Sequence, residues 1–269
     1  MSAQIEVMME GQRLPVKVGE KIADLLKRYP SPQGRPLAAK INQHLVSLDT
    51  SLRYNCRVTP VYPGQQEGMA VYRRSACLLL YEAVKELYPQ ARVIVGQSLA
   101  GGYYFDLQGE EAEPEVLERI QARMAQIVSE NRPFQRQTIT AEEAIQYFRE
   151  EGFEDKIKLL TTSRWMEVRL VGCGVFRDIQ HGPMVPSTGY LEGLDLVPFP
   201  PGFVLRFPDP RGSGKPQETG PVVGREPGLF QIYKETKAWN RILGVVNVGQ
   251  LNEACLSSEI REDIKIAEG

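Results

Sequence analysis

Residues 72–106 read YRRSACLLLYEAVKELYPQARVIVGQSLAGGYYFD, and their reading decides the fold. In the first half Ala76, Leu79, Leu80, Ala83, Val84 and Leu87 fall at helical spacing, the apolar stripe of a helix that lies against a core. Tyr88-Pro89 stops it, because proline lacks an amide hydrogen and disfavours helical backbone in the residue before it. The period then changes. ARVIVG (91–96) and GYYFDL (102–107) are short β-branched and aromatic runs with glycine at their borders, which predicts two strands.

Upstream, residues 1–62 divide into a different unit. AQIEVMM (3–9) and Leu14 to Val18 predict two strands around a turn at Gly11-Gln12. Ile22, Leu25 and Leu26 predict a short helix that ends at Tyr29-Pro30, and PLAAKIN (36–42) and CRVTPV (56–61) predict two further strands. Two strands, a helix and two strands in this length fit a ubiquitin-like β-grasp roll, with a boundary at Pro63-Gly64.

Downstream, Val116, Leu117, Ile120, Met124, Ile127 and Val128 form the apolar face of a long helix with an acidic first turn, ended by Pro133. FQRQTI (134–139) predicts a strand, and Thr140 with Glu143 a capping box for a helix through Phe148. KIKLL (156–160) and MEVRLV (166–171) read as strands. Residues 198–224 are rich in Pro and Gly and read as an exposed link, with room for a β excursion at FVLRF. Residues 225–269 read as helical. The fold class is therefore α+β, organised as 1–62, 63–200, a link at 201–224 and a helical tail at 225–269.

Composition narrows the function classes. With 269 residues, 42% apolar and 25% charged, the chain is an ordinary globular protein of about two domains. Its net charge of −2 lacks the bias of a dedicated nucleic-acid binder, although residues 1–62 carry nine Lys/Arg against five Asp/Glu. The N-terminus MSAQIEVMMEGQRLP has no signal-peptide pattern, and no apolar run approaches the ~18–20 residues that span a bilayer, so a cytoplasmic location is expected. Cys56, Cys77, Cys173 and Cys255 lie far apart, without zinc-ribbon spacing; Cys77 and Cys173, with apolar neighbours, read as small buried hydrophobes. GSGK (212–215) is no phosphate-binding loop: Asp209 stands where the leading Gly is required, and Pro216 follows Lys215 where a hydroxyl is required. The two histidines, His44 and His181, offer little for a catalytic triad; only His181 lies in a turn-rich, polar segment suited to a ligand site.

The apolar helix ending in Leu-Tyr-Pro, the strand, and Gly-Tyr-Tyr-Phe-Asp resemble the start of the editing domain of bacterial threonyl-tRNA synthetases. Residues 1–62 resemble the TGS domain that precedes it, and DIQHGPMVP (178–186) resembles a Cys-containing segment near the editing domain's end. The resemblance implies a zinc site built from an HxxxH pair on the first helix and a later Cys and His. Here those positions hold Arg74, Leu78, Gln180 and Met184, so neither a metal nor any other cofactor is expected. LFQIYKETKAWNRILGVVNVGQLNEACLSSEIREDIKIAEG (229–269) resembles the linker of bacterial nucleoside (uridine) kinases that carry TGS and editing-like domains before a kinase domain.

These residues point to a non-catalytic binding or regulatory module for RNA, a nucleotide or a small amino-acid-like ligand, with a kinase domain in cis or in trans as a partner. Arg74, Tyr104, Lys156, Arg177, Asp178, Gln180 and His181 are the candidate ligand-binding residues: arginine offers two-pronged contacts to phosphate, and tyrosine or Trp165 can stack on a base. Two alternatives stand beside this reading. One is a metal-independent deacylase of aminoacyl-tRNA in which Lys156, Asp178 and His181 position a water. The other is a structural or homodimerising region built on the amphipathic helices around Trp239.

Overall fold

The computed structural model of the chain describes residues 3–99 and 101–208. The remainder of the Pro/Gly-rich link, the GSGK segment, Cys255 and the helical tail with Trp239 lie outside the described residues. The fold is α+β, and the described residues divide into two compact units. One comprises the described part of Met1–Gln135 together with residues from Val171 on, and the other is Arg136–Leu170.

The first unit begins with the roll. Strands β1 (Gln4–Met9) and β2 (Gln12–Lys17) form a hairpin. Both turn residues, Glu10 (φ 48°) and Gly11 (φ 81°), are left-handed, which suits the twist of a two-residue hairpin. Helix α1 (Ile22–Arg28) buries Ile22, Leu25 and Leu26. Strands β3 (Ala38–Ile41), β4 (His44–Val46) and β5 (Cys56–Val61) complete a five-stranded sheet ordered β2-β1-β5-β3-β4, with β1 and β5 parallel. Strand β4 is absent from the sequence reading: three residues, none fully buried, carry no periodic signal. His44 is exposed on it.

Helix α2 (Gln66–Leu87) follows, ten residues longer at its start than the stripe from Ala76 suggests. It packs with the four-stranded sheet β11-β12-β7-β6 formed by β6 (Arg92–Leu99), β7 (Gly102–Gln108), β11 (Asp195–Phe199) and β12 (Gly202–Arg206). Here the expected exposed link is corrected. Residues 202–206 form an inner strand between β7 and β11, and Phe203, Val204 and Leu205 are fully buried. The β excursion expected at FVLRF is present; proline and glycine border this strand without entering its interior, and what composition over a broad window hid is its burial. Helix α3 (Pro114–Glu130) buries Leu117, Ile120, Met124 and Ile127. It ends at Asn131, whose left-handed backbone (φ 52°) stops the helix two residues before Pro133.

A charged network joined through Arg132 braces this unit. Glu82 of α2 is fully buried and accepts the backbone amides of Val175 and Phe176, each at 2.8 Å, with Arg132 at 3.6 Å. Arg132 and Arg123 also grip Glu86 at 2.6 and 2.5 Å and Glu130 at 2.6 and 3.1 Å. Burial pushes the Glu82 carboxyl above its ordinary range. Burial acts on Glu86 too, but the two guanidinium groups hold it below.

The second unit, taken by itself, contains most of β8 (Gln135–Thr140), α4 (Ala141–Glu150), α5 (Glu154–Thr162) and most of β9 (Glu167–Gly172), with β8 and β9 adjacent in a sheet. The capping box is present: Thr140 accepts from the Glu143 amide, and Glu143 accepts from the Thr140 amide. KIKLL is helical, correcting the strand reading. Five residues of alternation cannot separate the two periods. Glu154 and Asp155 place negative charge at a helix start, and only Leu160 is buried.

Gly174 has no room for a side chain, since a Cβ there would meet Glu82 Oε1 at 1.9 Å. Gly174→Ala should therefore cost about 1–3 kcal/mol of stability in denaturant titration, the range for overpacking. Folding raises Glu82, so its ionisation costs stability as pH climbs from the ordinary glutamate value of 4.5. Glu86 has the opposite sign and loses its contribution as pH falls. Glu82→Gln should flatten the rising-pH loss in thermal melts and leave the acid-side loss in place.

Candidate functional site

The site is built where α2 meets the segment that follows β10 (Arg177–Ile179) in the first unit. The fully buried hydroxyl of Ser75 donates to Val71 O at 2.8 Å, inside the helix, and accepts the Val185 amide at 3.0 Å. The Met184 amide donates to Ser47 Oγ of the roll at 3.4 Å. These bonds fix residues 182–185 along α2.

Arg74 is the centre of the arrangement. Its Nη1 donates to Pro183 O at 2.6 Å, and its guanidinium lies so close to Gly182 that a Cβ there would be 3.0 Å from Cζ and Nη1. Burial draws this guanidinium below its ordinary value, with Tyr103 and Cys77 opposing the change. Gln180 reaches the same turn: its Nε2 donates to Gly182 O at 2.9 Å, and its Oε1 is buried with no partner among the described residues. Asp178 accepts the Ile179 amide at 2.7 Å.

Cys77, three residues on from Arg74 along α2, links the two sides. Burial and then the Asp178 carboxylate push its thiol up to about 12, while Arg74 and Arg73 oppose them. The thiol is therefore neutral, and Cys77 is half-buried beside charged groups, not the purely apolar core residue expected. Cys173 does fit that expectation, being buried in the glycine-bordered turn before β10.

Of the sequence-derived candidates, the structure brings together Arg74, Asp178 and Gln180. Arg177 is exposed on β10, its stem packed over Gly172, and His181 is exposed next to Gly182. Tyr104 is corrected: it is fully buried, its hydroxyl donates to Asp106 at 2.6 Å, and its ring packs edge-on to Phe199. Tyr103, its neighbour in β7, is the half-buried tyrosine beside Arg74, edge-on to Phe207 at 5.1 Å. Strand alternation puts consecutive side chains on opposite faces, but only the partner strands decide which face meets α2. Lys156 belongs to the second unit, where its ammonium lies 5.6 Å from the rings of both Phe148 and Phe153.

The residues present do not fit a zinc ion. Arg74 puts a cation on the segment that would supply the other ligands, Leu78 and Met184 are buried apolar side chains, and Gln180 spends its amide on Gly182. Among the described residues no three His, Cys, Asp or Glu side chains gather as a metal site. What remains is a polar turn beside a partly buried guanidinium, a chemistry suited to an anionic group.

No family model matches the chain. It is 32% identical over 199 residues to a threonine–tRNA ligase of Pelobacter propionicus, covering 73% of this chain and 31% of that protein. It is 33% identical over 195 residues to the threonine–tRNA ligase of Desulforamulus reducens (71% and 30%) and 35% identical over 163 residues to that of Carboxydothermus hydrogenoformans (60% and 26%). The chain thus spans less than a third of the length of these curated relatives. Over the matched residues it is homologous to the N-terminal region of threonyl-tRNA synthetase.

Proposed function

We propose that this chain is a metal-free, non-catalytic binding module that recognises tRNA through an anion-accepting turn at Arg74. The observation that carries the reading is the guanidinium of Arg74 held between α2 and the Gly182-Pro183 turn, with Arg177 exposed nearby in sequence. A fixed positive charge in a partly desolvated place suits phosphate better than a mobile surface lysine would. The homology to threonine–tRNA ligases favours tRNA as the source of that phosphate. The likeness of residues 229–269 to a kinase linker makes a kinase domain, in cis or in trans, the partner whose activity such binding would tune. A cytoplasmic location belongs to the same reading; no described helix is long and apolar enough to cross a membrane.

Binding of bulk tRNA over a salt series tests the reading. Affinity should fall steeply as salt rises. Arg74→Gln, which keeps a donor for Pro183 O, combined with Arg177→Ala should weaken binding roughly tenfold or more and lower the salt slope by about one for each phosphate that is no longer neutralised. Unchanged affinity in a folded double variant would remove the turn as the site. Incubation with seryl-tRNA, with or without added zinc, should release serine no faster than buffer alone; enzyme-dependent release would overturn the non-catalytic assignment.

A further inference from the structure

Trp165 and Met166 stand side by side in water between α5 and β9, 46% and 86% exposed. Isolated exposed apolar residues need no explanation, but an adjacent tryptophan and methionine held out together form a patch. Their backbone is fixed. Met166 O accepts the amide of Ala141 at 3.0 Å, at the start of α4, and Val168 and Leu170 bury the inner face of β9. The side chains are thus presented from a braced position.

Charge selects the occupant. Residues 141–155 carry six carboxylates and one arginine. From Lys156 to Arg169 the balance reverses, to four cations and one carboxylate, Glu167. Arg164 and Arg169 flank the apolar pair, are exposed, and have no carboxylate partner among the described residues. An exposed indole with guanidinium groups close on either side in sequence suits bases that are free to stack and whose phosphates need neutralising. A duplex has its bases already stacked on one another and offers none. A second copy of the tip would bring like charges together.

We propose that the Trp165–Met166 tip is a stacking platform for unpaired RNA nucleotides, with Arg164 and Arg169 neutralising their phosphates. The proposal rests on the tRNA-binding reading above and adds a second contact, on the second unit.

The test uses the full chain carrying Trp239→Phe, so that Trp165 is the sole tryptophan fluorophore. A short oligoadenylate and bulk tRNA should quench its emission on binding, and a blunt RNA duplex should not. Trp165→Ala should weaken oligoadenylate binding roughly tenfold, while Trp165→Phe retains most of it, since stacking and not the indole nitrogen carries the contact. The salt slope should be unchanged in Trp165→Ala and reduced in Arg164→Ala with Arg169→Ala. Both positions are exposed, so circular dichroism should show the fold intact. If tRNA binds with unaltered affinity in Trp165→Ala and without quenching in the Trp165 chain, the platform is overturned and the Arg74 reading stands. If no RNA binds at low salt, both fall. If Met166→Glu alters the sedimentation coefficient, the tip is a protein contact, which also overturns the proposal.

Discussion

Two buried polar side chains on one helix hold the first unit together. Ser75 and Glu82 are seven residues apart on α2, hence on one face, and both are fully buried. Each satisfies backbone amides of a segment about a hundred residues later: Val185 for Ser75, Val175 and Phe176 for Glu82. An unpaired buried carboxylate or amide would cost several kcal/mol, so these bonds leave the returning chain little freedom in where it crosses the helix.

The position of Arg74 follows from that constraint. Adjacent to Ser75, it meets the turn at Gly182-Pro183 only because Val185 is already pinned two residues further on. Gly182 is needed for the same reason, since a side chain there would press on the guanidinium. A metal bound from both segments would bridge the helix and the turn; here a hydrogen-bonded cation makes that bridge. The bridge therefore carries the positive charge of the guanidinium, on a group that offers planar, two-pronged hydrogen bonding.

The roll contributes to the same region. Ser47 takes the Met184 amide, Lys40 pairs with Glu67 at 2.6 Å at the start of α2, and Arg35 stacks on Tyr190 with its Cζ 3.3 Å from the ring centroid. The Ser47 bond is buried, whereas the Lys40 and Arg35 contacts are modest because one partner of each remains solvated. The Ser47 bond is the one that ties the turn from Gln180 to Met184 to the roll.

Much of this was legible in order along the chain. The stripe of Ala76 to Leu87, the alternation of residues 91–96 and 102–107, and the Thr140–Glu143 box are local signals, and local backbone preference is sufficient to read them. Replacement of the four ligand positions by Arg74, Leu78, Gln180 and Met184 was visible only once the resemblance to the editing domain had marked those positions. Three features were not. KIKLL is too short for its period to exclude a helix; the β excursion at FVLRF was legible but its burial was not, since β7 and β11 flank it; and Tyr103, not Tyr104, faces Arg74 because the sheet's pairing turns one face to α2. Local signals in the chain were enough to read most of the elements and their order, β4 and α5 excepted. Which faces meet, and so which side chains share a site, was decided by burial and by amide bonds between segments a hundred residues apart, information that no local stretch contains.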